Sequence, residues 1–160
     1  MAAISTPPAS EHAIEILIVE DNEADVFLTS TALRDARVAN HISAVSDGES
    51  ALAFLRREGQ YADAPRPDVV FLDLGLPRVD GYEVLAMMKA DPELRSIPVV
   101  AVSGSHAESD LARAYDNQVA AYIVKPASHD EYFTAIRTMK EFWFHIVTYP
   151  PKRVGAGTGG

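Results

Sequence analysis

Val69-Val70-Phe71-Leu72-Asp73 is a continuous apolar run closed by a carboxylate. Apolar residues without polar alternation predict a strand covered on both faces, as in a parallel sheet between two layers of helices. Asp73 then stands where that strand leaves the sheet. Three other runs end in the same way. Ile16-Leu17-Ile18-Val19 precedes Glu20-Asp21, Val99-Val100-Ala101-Val102 precedes Ser103, and Tyr122-Ile123-Val124 precedes Lys125-Pro126. Three acids, a hydroxyl and an amine at strand ends would form one pocket, suited to a metal ion and to a phosphoryl group on Asp73.

Helical patterns fill the intervals. Residues 23–37 place Ala24, Phe27, Leu28, Thr31 and Ala32 at helical spacing, which predicts that face as the buried one. A short run at 42–45, interrupted by Ser43, suits an edge strand. Residues 49–57 read as a helix with Gly59 at its C-terminal cap. Residues 82–90 place Val84, Leu85 and Met88 on one side, with Asp91-Pro92 as the stop. Helices over 107–116 and 129–146 and a strand over 120–124 complete the series.

Five strands alternating with five helices predict an α/β fold with a parallel sheet covered on both faces. Asp21 and Asp73 are 52 residues apart, Asp73 and Ser103 are 30 apart, and Ser103 and Lys125 are 22 apart. A strand-helix-strand unit takes about 30 residues, so the first gap holds two crossovers and the others one each. Ligands of such sheets bind beyond the carboxyl ends of the strands, where strand order reverses. All four polar signals fall on that edge.

The 160 residues fit one domain, over about residues 14–149, between tails at 1–13 and 150–160 of low-complexity composition. A net charge of -9 argues against non-specific nucleic-acid binding. The absence of cysteine excludes disulfides, thiol catalysis and zinc-thiolate sites. No run approaches the ~18 apolar residues of a membrane span, and the first residues lack the pattern of a secretory signal. The expectation is a cytoplasmic protein without membrane or nucleic-acid partners.

Each site residue also has a plainer role open to it. Glu20 and Asp21 could cap or complement a helix N-terminus, Asp73 could serve a turn, and Ser103 could cap a helix. A lone lysine is usually a solvated charge, yet Lys125 follows two apolar residues and precedes a proline. The Lys125-Pro126 bond is a candidate for the cis form, which would direct the lysine inward. Crowded carboxylates need a cation, and a few wet oxygen ligands suit Mg²⁺. A carboxylate held there can accept a phosphoryl group, and Lys125 and Ser103 can bind its oxygens. The five histidines show neither metal spacing nor a paired carboxylate.

Taken together, Ile16 to Asn22, Phe71 to Pro77, Asp80-Gly81, Val102-Ser103 and Tyr122 to Pro126 resemble the receiver domains of two-component response regulators. The resemblance spans about residues 14–146. It implies a flavodoxin-like, doubly wound five-stranded sheet of order 2-1-3-4-5. Asp73 would be the phosphoacceptor, and Glu20 with Asp21 the acidic pair. Mg²⁺ would be bound by Asp21, Asp73 and the carbonyl of Gly75, with Glu20 acting through water. Ser103 would be the switch hydroxyl, Tyr122 the switch aromatic and Lys125 the phosphate partner. Receivers usually carry a side chain two residues after the phosphoacceptor, where Gly75 has none. The implied role is a switch phosphorylated by a sensor histidine kinase, without a DNA-binding output domain and without turnover of a substrate.

A narrower resemblance, at residues 19–25 and 141–150, is to small regulators partnered with phytochrome kinases, which makes a bacteriophytochrome the suggested donor. Tyr132, Ile136, Met139 and Trp143 form one helical stripe, while Phe142, Phe144, Ile146 and Val147 leave the end apolar nearly all round. One sheet face supplies too little cover for that, so homodimerisation through Phe142, Trp143, Phe144, Ile146 and Val147 is expected. The downstream partner is unspecified. A phosphatase of the haloacid dehalogenase type would want an acid at Gly75. A flavin module would want a Ser/Thr/Gly loop in place of Glu20-Asp21-Asn22-Glu23. A receiver fold that has lost phosphorylation would lack one of the required groups, and all are present.

Overall fold

A computed structural model describes residues 13–34, 40–105, 107–125 and 128–145, with side chains of the last helix described as far as residue 138. The chain runs β1 (Ile14–Val19), α1 (Glu23–Arg34), β2 (Asn40–Val45), α2 (Gly48–Arg56), β3 (Val69–Asp73), α3 (Gly81–Ala90), β4 (Val99–Ser103), α4 (Glu108–Asp116), β5 (Ala121–Val124) and α5 (His129–His145). A 3-10 turn at Gly59–Tyr61 follows α2. The strands are all parallel, in the order β2-β1-β3-β4-β5. This is the doubly wound arrangement expected from the sequence.

Every residue of β3 is buried. Alternate strand residues serve two separate cores. Leu17, Val19, Val70, Leu72, Val99 and Ala101 pack with Leu52 and Leu55 of α2 and Val84, Leu85 and Met88 of α3. Ile16, Ile18, Val69, Phe71, Val100 and Val102 pack with Ala32 and Leu33 of α1 and Tyr132 and Ile136 of α5. Each buried Val, Leu, Ile or Phe contributes about 1.5–3 kcal/mol. A charge along these strands would forfeit that and add a desolvation cost, so polar groups collect at the strand ends.

The α3 expectation holds in detail. Asp80 caps the helix by accepting from the Glu83 N–H at 2.9 Å, and Asp91 ends it with its own N–H on the Met88 carbonyl. β2 is an edge strand, as expected, but begins earlier, at Asn40.

Two local expectations are corrected. The buried face of α1 is Thr29, Ser30, Ala32 and Leu33, while Ala24 and Thr31 are exposed and Phe27 is 69% exposed. Polar residues occupy inward positions because partners meet them there: the Thr29 and Tyr132 hydroxyls lie 3.1 Å apart. The C-cap of α2 is Arg57 rather than Gly59. Arg57 takes the left-handed conformation at φ 57°, and the N–H groups of Arg57 and Glu58 bond the Phe54 and Ala53 carbonyls. Gly59 instead opens the 3-10 turn, which sets the Tyr61 ring 5.5 Å from that of Phe54.

Candidate functional site

Strand register assembles the site. Val19 pairs with Leu72, so Glu20, the next residue after β1, emerges beside Asp73 at the end of β3. β1 lies between β2 and β3, which is where the strand order reverses. Asp73 pairs with Val102 and Ser103 with Val124, and the Lys125 N–H bonds the Ser103 carbonyl at 2.7 Å. Glu20, Asp73, Ser103 and Lys125 are thereby brought to one edge, as the sequence predicts.

The helix-capping roles are taken by other residues, while Asp73 does make the turn contact open to it. Asn22 Oδ1 accepts from the Asp25 N–H at 3.1 Å, so Asn22 caps α1 and leaves Glu20 and Asp21 free of that duty. Ser103 Oγ accepts from the Ser105 N–H at 3.1 Å, while Ala107 is the N-cap residue of α4, so Ser103 does not cap that helix. Asp73 Oδ1 accepts from the Gly75 N–H at 2.8 Å, which fixes the carboxylate plane and leaves Oδ2 turned to Lys125.

Lys125 Nζ donates to Glu20 Oε2 at 2.7 Å and to Asp25 Oδ2 at 2.9 Å, and lies 3.5 Å from Asp73 Oδ2. Its side chain is 18% exposed and that of Glu20 is 5% exposed. Burial pushes the Glu20 carboxyl up, to about 7, against the opposing hydrogen bond from Lys125. Burial draws the lysine down, but its bonds to Glu20 and Asp25 and the charge of Asp73 outweigh this and hold it above its ordinary value. The lysine is thus shared among three carboxylates. Sequence reasoning gave Lys125 as a partner of phosphoryl oxygens on Asp73 and missed its bonds to Glu20 and Asp25. The available signal was position, since Asp25 lies one helical turn before Thr29 on the inward face of α1.

Carboxylate oxygens of Glu20, Asp21 and Asp73 lie within 4.8 Å of one another. With Asp25 they make four acids against one ammonium, an excess that favours a cation. All the donors are hard oxygens, and Asp21 is exposed, so bound water can complete the shell. That donor set fits Mg²⁺ or Mn²⁺.

A second group of polar contacts leads away from the edge. Tyr122 Oη donates to the Ser105 carbonyl at 3.2 Å, and the Ser105 hydroxyl bonds the Asp110 carboxylate in the first turn of α4. Tyr82 Oη donates to the Asp110 carbonyl at 3.1 Å, and the Arg113 guanidinium lies 3.8 Å above the Tyr82 ring. Ser105, Asp110, Tyr82 and Arg113 escaped sequence reasoning, because contacts between a loop and two helices carry no periodicity.

The histidine reading is also corrected. His41 does have a paired carboxylate: it lies in β2, and its Nδ1 is 2.8 Å from Glu15 Oε2 on β1, a pairing set by strand register. Of the expected dimer contacts, Phe142, Trp143 and Phe144 fall in α5 where side chains are not described, and Ile146 and Val147 lie outside the described residues. The Lys125-Pro126 bond lies outside them too, since Pro126 is not described.

Fold and edge together define a doubly wound α/β protein with an acid, hydroxyl and lysine cluster at its topological switch point. Residues 16–137 match the response regulator receiver domain, and the chain belongs to that family. It is 38% identical over 135 residues to the response regulator Rcp1 of Synechocystis sp., covering 84% of this chain and 92% of that protein. The crystal structure of the phosphorylated cyanobacterial phytochrome response regulator RcpA superposes with a TM-score of 0.84. It is 44% identical and covers 88% of this chain and all of that one (100%). A Mn²⁺-bound structure of Rcp1 gives 0.83 at 38% identity, covering 86% and 99% of the two chains. Among the described residues no helix is long and apolar enough to cross a membrane.

Proposed function

We propose that this protein is a phosphorylation switch whose acceptor is Asp73. The observation that carries the reading is the convergence of Asp73, Glu20, Asp21 and Lys125 at one strand edge, with the carboxylates clustered and the ammonium beside Asp73. Asp73 Oδ attacks the phosphorus of a phosphohistidine on a sensor kinase. The O–P bond forms as the N–P bond breaks, and the electron pair of that bond returns to the imidazole nitrogen. Asp21, Asp73 and the Gly75 carbonyl would hold Mg²⁺, with Glu20 acting through water. The ion supplies charge neutralisation for the added phosphoryl oxygens. Lys125 pairs with those oxygens and Ser103 donates its hydroxyl to them.

The readout runs through the loop after β4. As Ser103 moves towards the phosphoryl group, Tyr122 turns into the space vacated, and the Ser105 carbonyl that it bonds shifts with the loop. Asp110 carries the shift into α4. The proposed receiver domain spans residues 14–149, between the terminal stretches 1–13 and 150–160, and its proposed location is the cytoplasm. The similarity to the phytochrome response regulator RcpA points to a phytochrome-type kinase as donor, and the apolar residues at 142–147 to a homodimer.

Beryllofluoride with Mg²⁺, standing in for the phosphoryl group, should change tryptophan fluorescence in the native chain and leave Asp73→Asn unchanged. An equal response in both would overturn the assignment of Asp73. Sizing over a wide dilution range should show a dimer whose dissociation is eased by Trp143→Ala, and a monomer at every concentration would refute the dimer.

A further inference from the structure

The geometry points to Asp25 as a positioning residue that holds Lys125 back from Asp73 and so competes with the phosphoryl group for its ammonium. The inference rests on Asp73 being the acceptor. An ammonium has three N–H groups. Two are committed, to Glu20 Oε2 at 2.7 Å and to Asp25 Oδ2 at 2.9 Å. Asp73 Oδ2, at 3.5 Å, is beyond the ~2.7–2.9 Å of a charge-assisted hydrogen bond. The lysine is therefore anchored towards α1 and only leans towards the acceptor.

Glu20 and Asp25 reach Lys125 from different elements. Glu20 leaves β1 and belongs to the acidic cluster, and its Oε1 is further held by the Asn22 N–H at 3.1 Å. Asp25 sits in the first turn of α1, outside that cluster. Its carboxylate is 16% exposed and has Lys125 as its ion-pair partner. When phosphoryl oxygens are carried on Asp73, Lys125 must either loosen from Asp25 or divide its donors. Asp25 thereby lowers the affinity of the site for the modified state without touching the phosphoryl group or the metal ligands.

Calorimetric titration of the full chain with beryllofluoride in excess Mg²⁺ tests this. Asp25→Asn removes the competing charge and should tighten binding about fivefold, the scale of one partly exposed ion pair. Asp25→Glu, which keeps the charge, should return the affinity towards the native value. In a Lys125→Gln background, Asp25→Asn should change the affinity by less than about twofold, because the residue acts through the lysine. A crystal structure of Asp25→Asn should show Lys125 Nζ within about 2.9 Å of Asp73 Oδ2.

Native-like affinity in Asp25→Asn, or the same gain with and without Lys125, overturns the inference while leaving Asp73 as acceptor. Failure of the native chain to bind beryllofluoride, or unchanged binding in Asp73→Asn, overturns the acceptor reading and this inference with it.

Discussion

Replacing Gly81 by alanine would press α3 directly against the backbone that carries Asp73. The new Cβ would lie 2.3 Å from the Asp73 carbonyl oxygen and 2.5 Å from Leu74 Cα. Unbonded carbons settle at about 3.5–4.0 Å, so the second contact is short by about 1 Å. Neither neighbour is a side chain that can swing aside. The segment is tied by the Leu74 N–H to Val102 O bond at 3.0 Å and by the Gly81 N–H to Leu74 O contact at 3.4 Å. Overpacking of this kind costs about 1–3 kcal/mol. Against it stands the helix-propensity gain of alanine over glycine, about 1 kcal/mol in a helix interior and less in a first turn. The clash wins, and a net loss of about 1–2 kcal/mol is expected.

Gly75 is the control on the other side of the same loop. A Cβ there meets Asp73 Oδ1 at 3.5 Å, an ordinary contact, so Gly75→Ala should stay within about 0.5 kcal/mol of native. Urea unfolding followed by circular dichroism, with EDTA present, gives both numbers. A Gly81→Ala variant as stable as the native chain, or a Gly75→Ala variant equally damaged, would refute the packing argument.

The buried Glu20 predicts a pH dependence in the metal-free protein. Its folded value, about 7, lies above the ordinary 4.5, so its contribution is fully present below pH 4.5 and is lost as pH rises through 7. Stability in EDTA should therefore fall between about pH 5 and 8, and Glu20→Gln should flatten that fall; parallel profiles would contradict it. Tyr132→Phe leaves the Thr29 hydroxyl without its partner and should cost about 1 kcal/mol, largely recovered by adding Thr29→Val, as a double-mutant cycle in urea would show. Asp47 caps α2 by accepting from the Ser50 N–H at 2.7 Å, so Asp47→Ala should cost about 1 kcal/mol. That hydrogen bond also holds the Asp47 carboxyl below its ordinary range, so its contribution persists above the unfolded value and fades as pH falls through the folded one.

The strands and their terminal residues were legible because a strand buried on both faces must be apolar throughout, and polar chemistry can begin only where it ends. Glu20, Asp73, Ser103 and Lys125 could be read from that boundary alone. The phase of α1 could not. Asp25, Thr29 and Ser30 look like a solvent face, and they turn inward because β5 and α5 bring Lys125 and Tyr132 to the first two. The cap of α2 failed for a local reason: Arg57 adopts a backbone conformation that favours glycine, and a true glycine two residues later drew the reading away. The His41–Glu15 pair depended on a parallel register that only the assembled sheet supplies.

Lys125 directly follows β5, the last strand among the described residues, whereas the acids it contacts lie just after β1 (Glu20), in α1 (Asp25) and at the end of β3 (Asp73). Synthesis runs from the N-terminus, so Glu20, Asp21, Asp25 and Asp73 all leave the ribosome before their ammonium does. A nascent chain that has paired β1 with β3 holds converging carboxylates with no lysine among them. A divalent cation at those carboxylates would then supply the counter-charge until β5 docks. The ion that would serve the switch in the mature protein would also favour the first closure of the sheet around it.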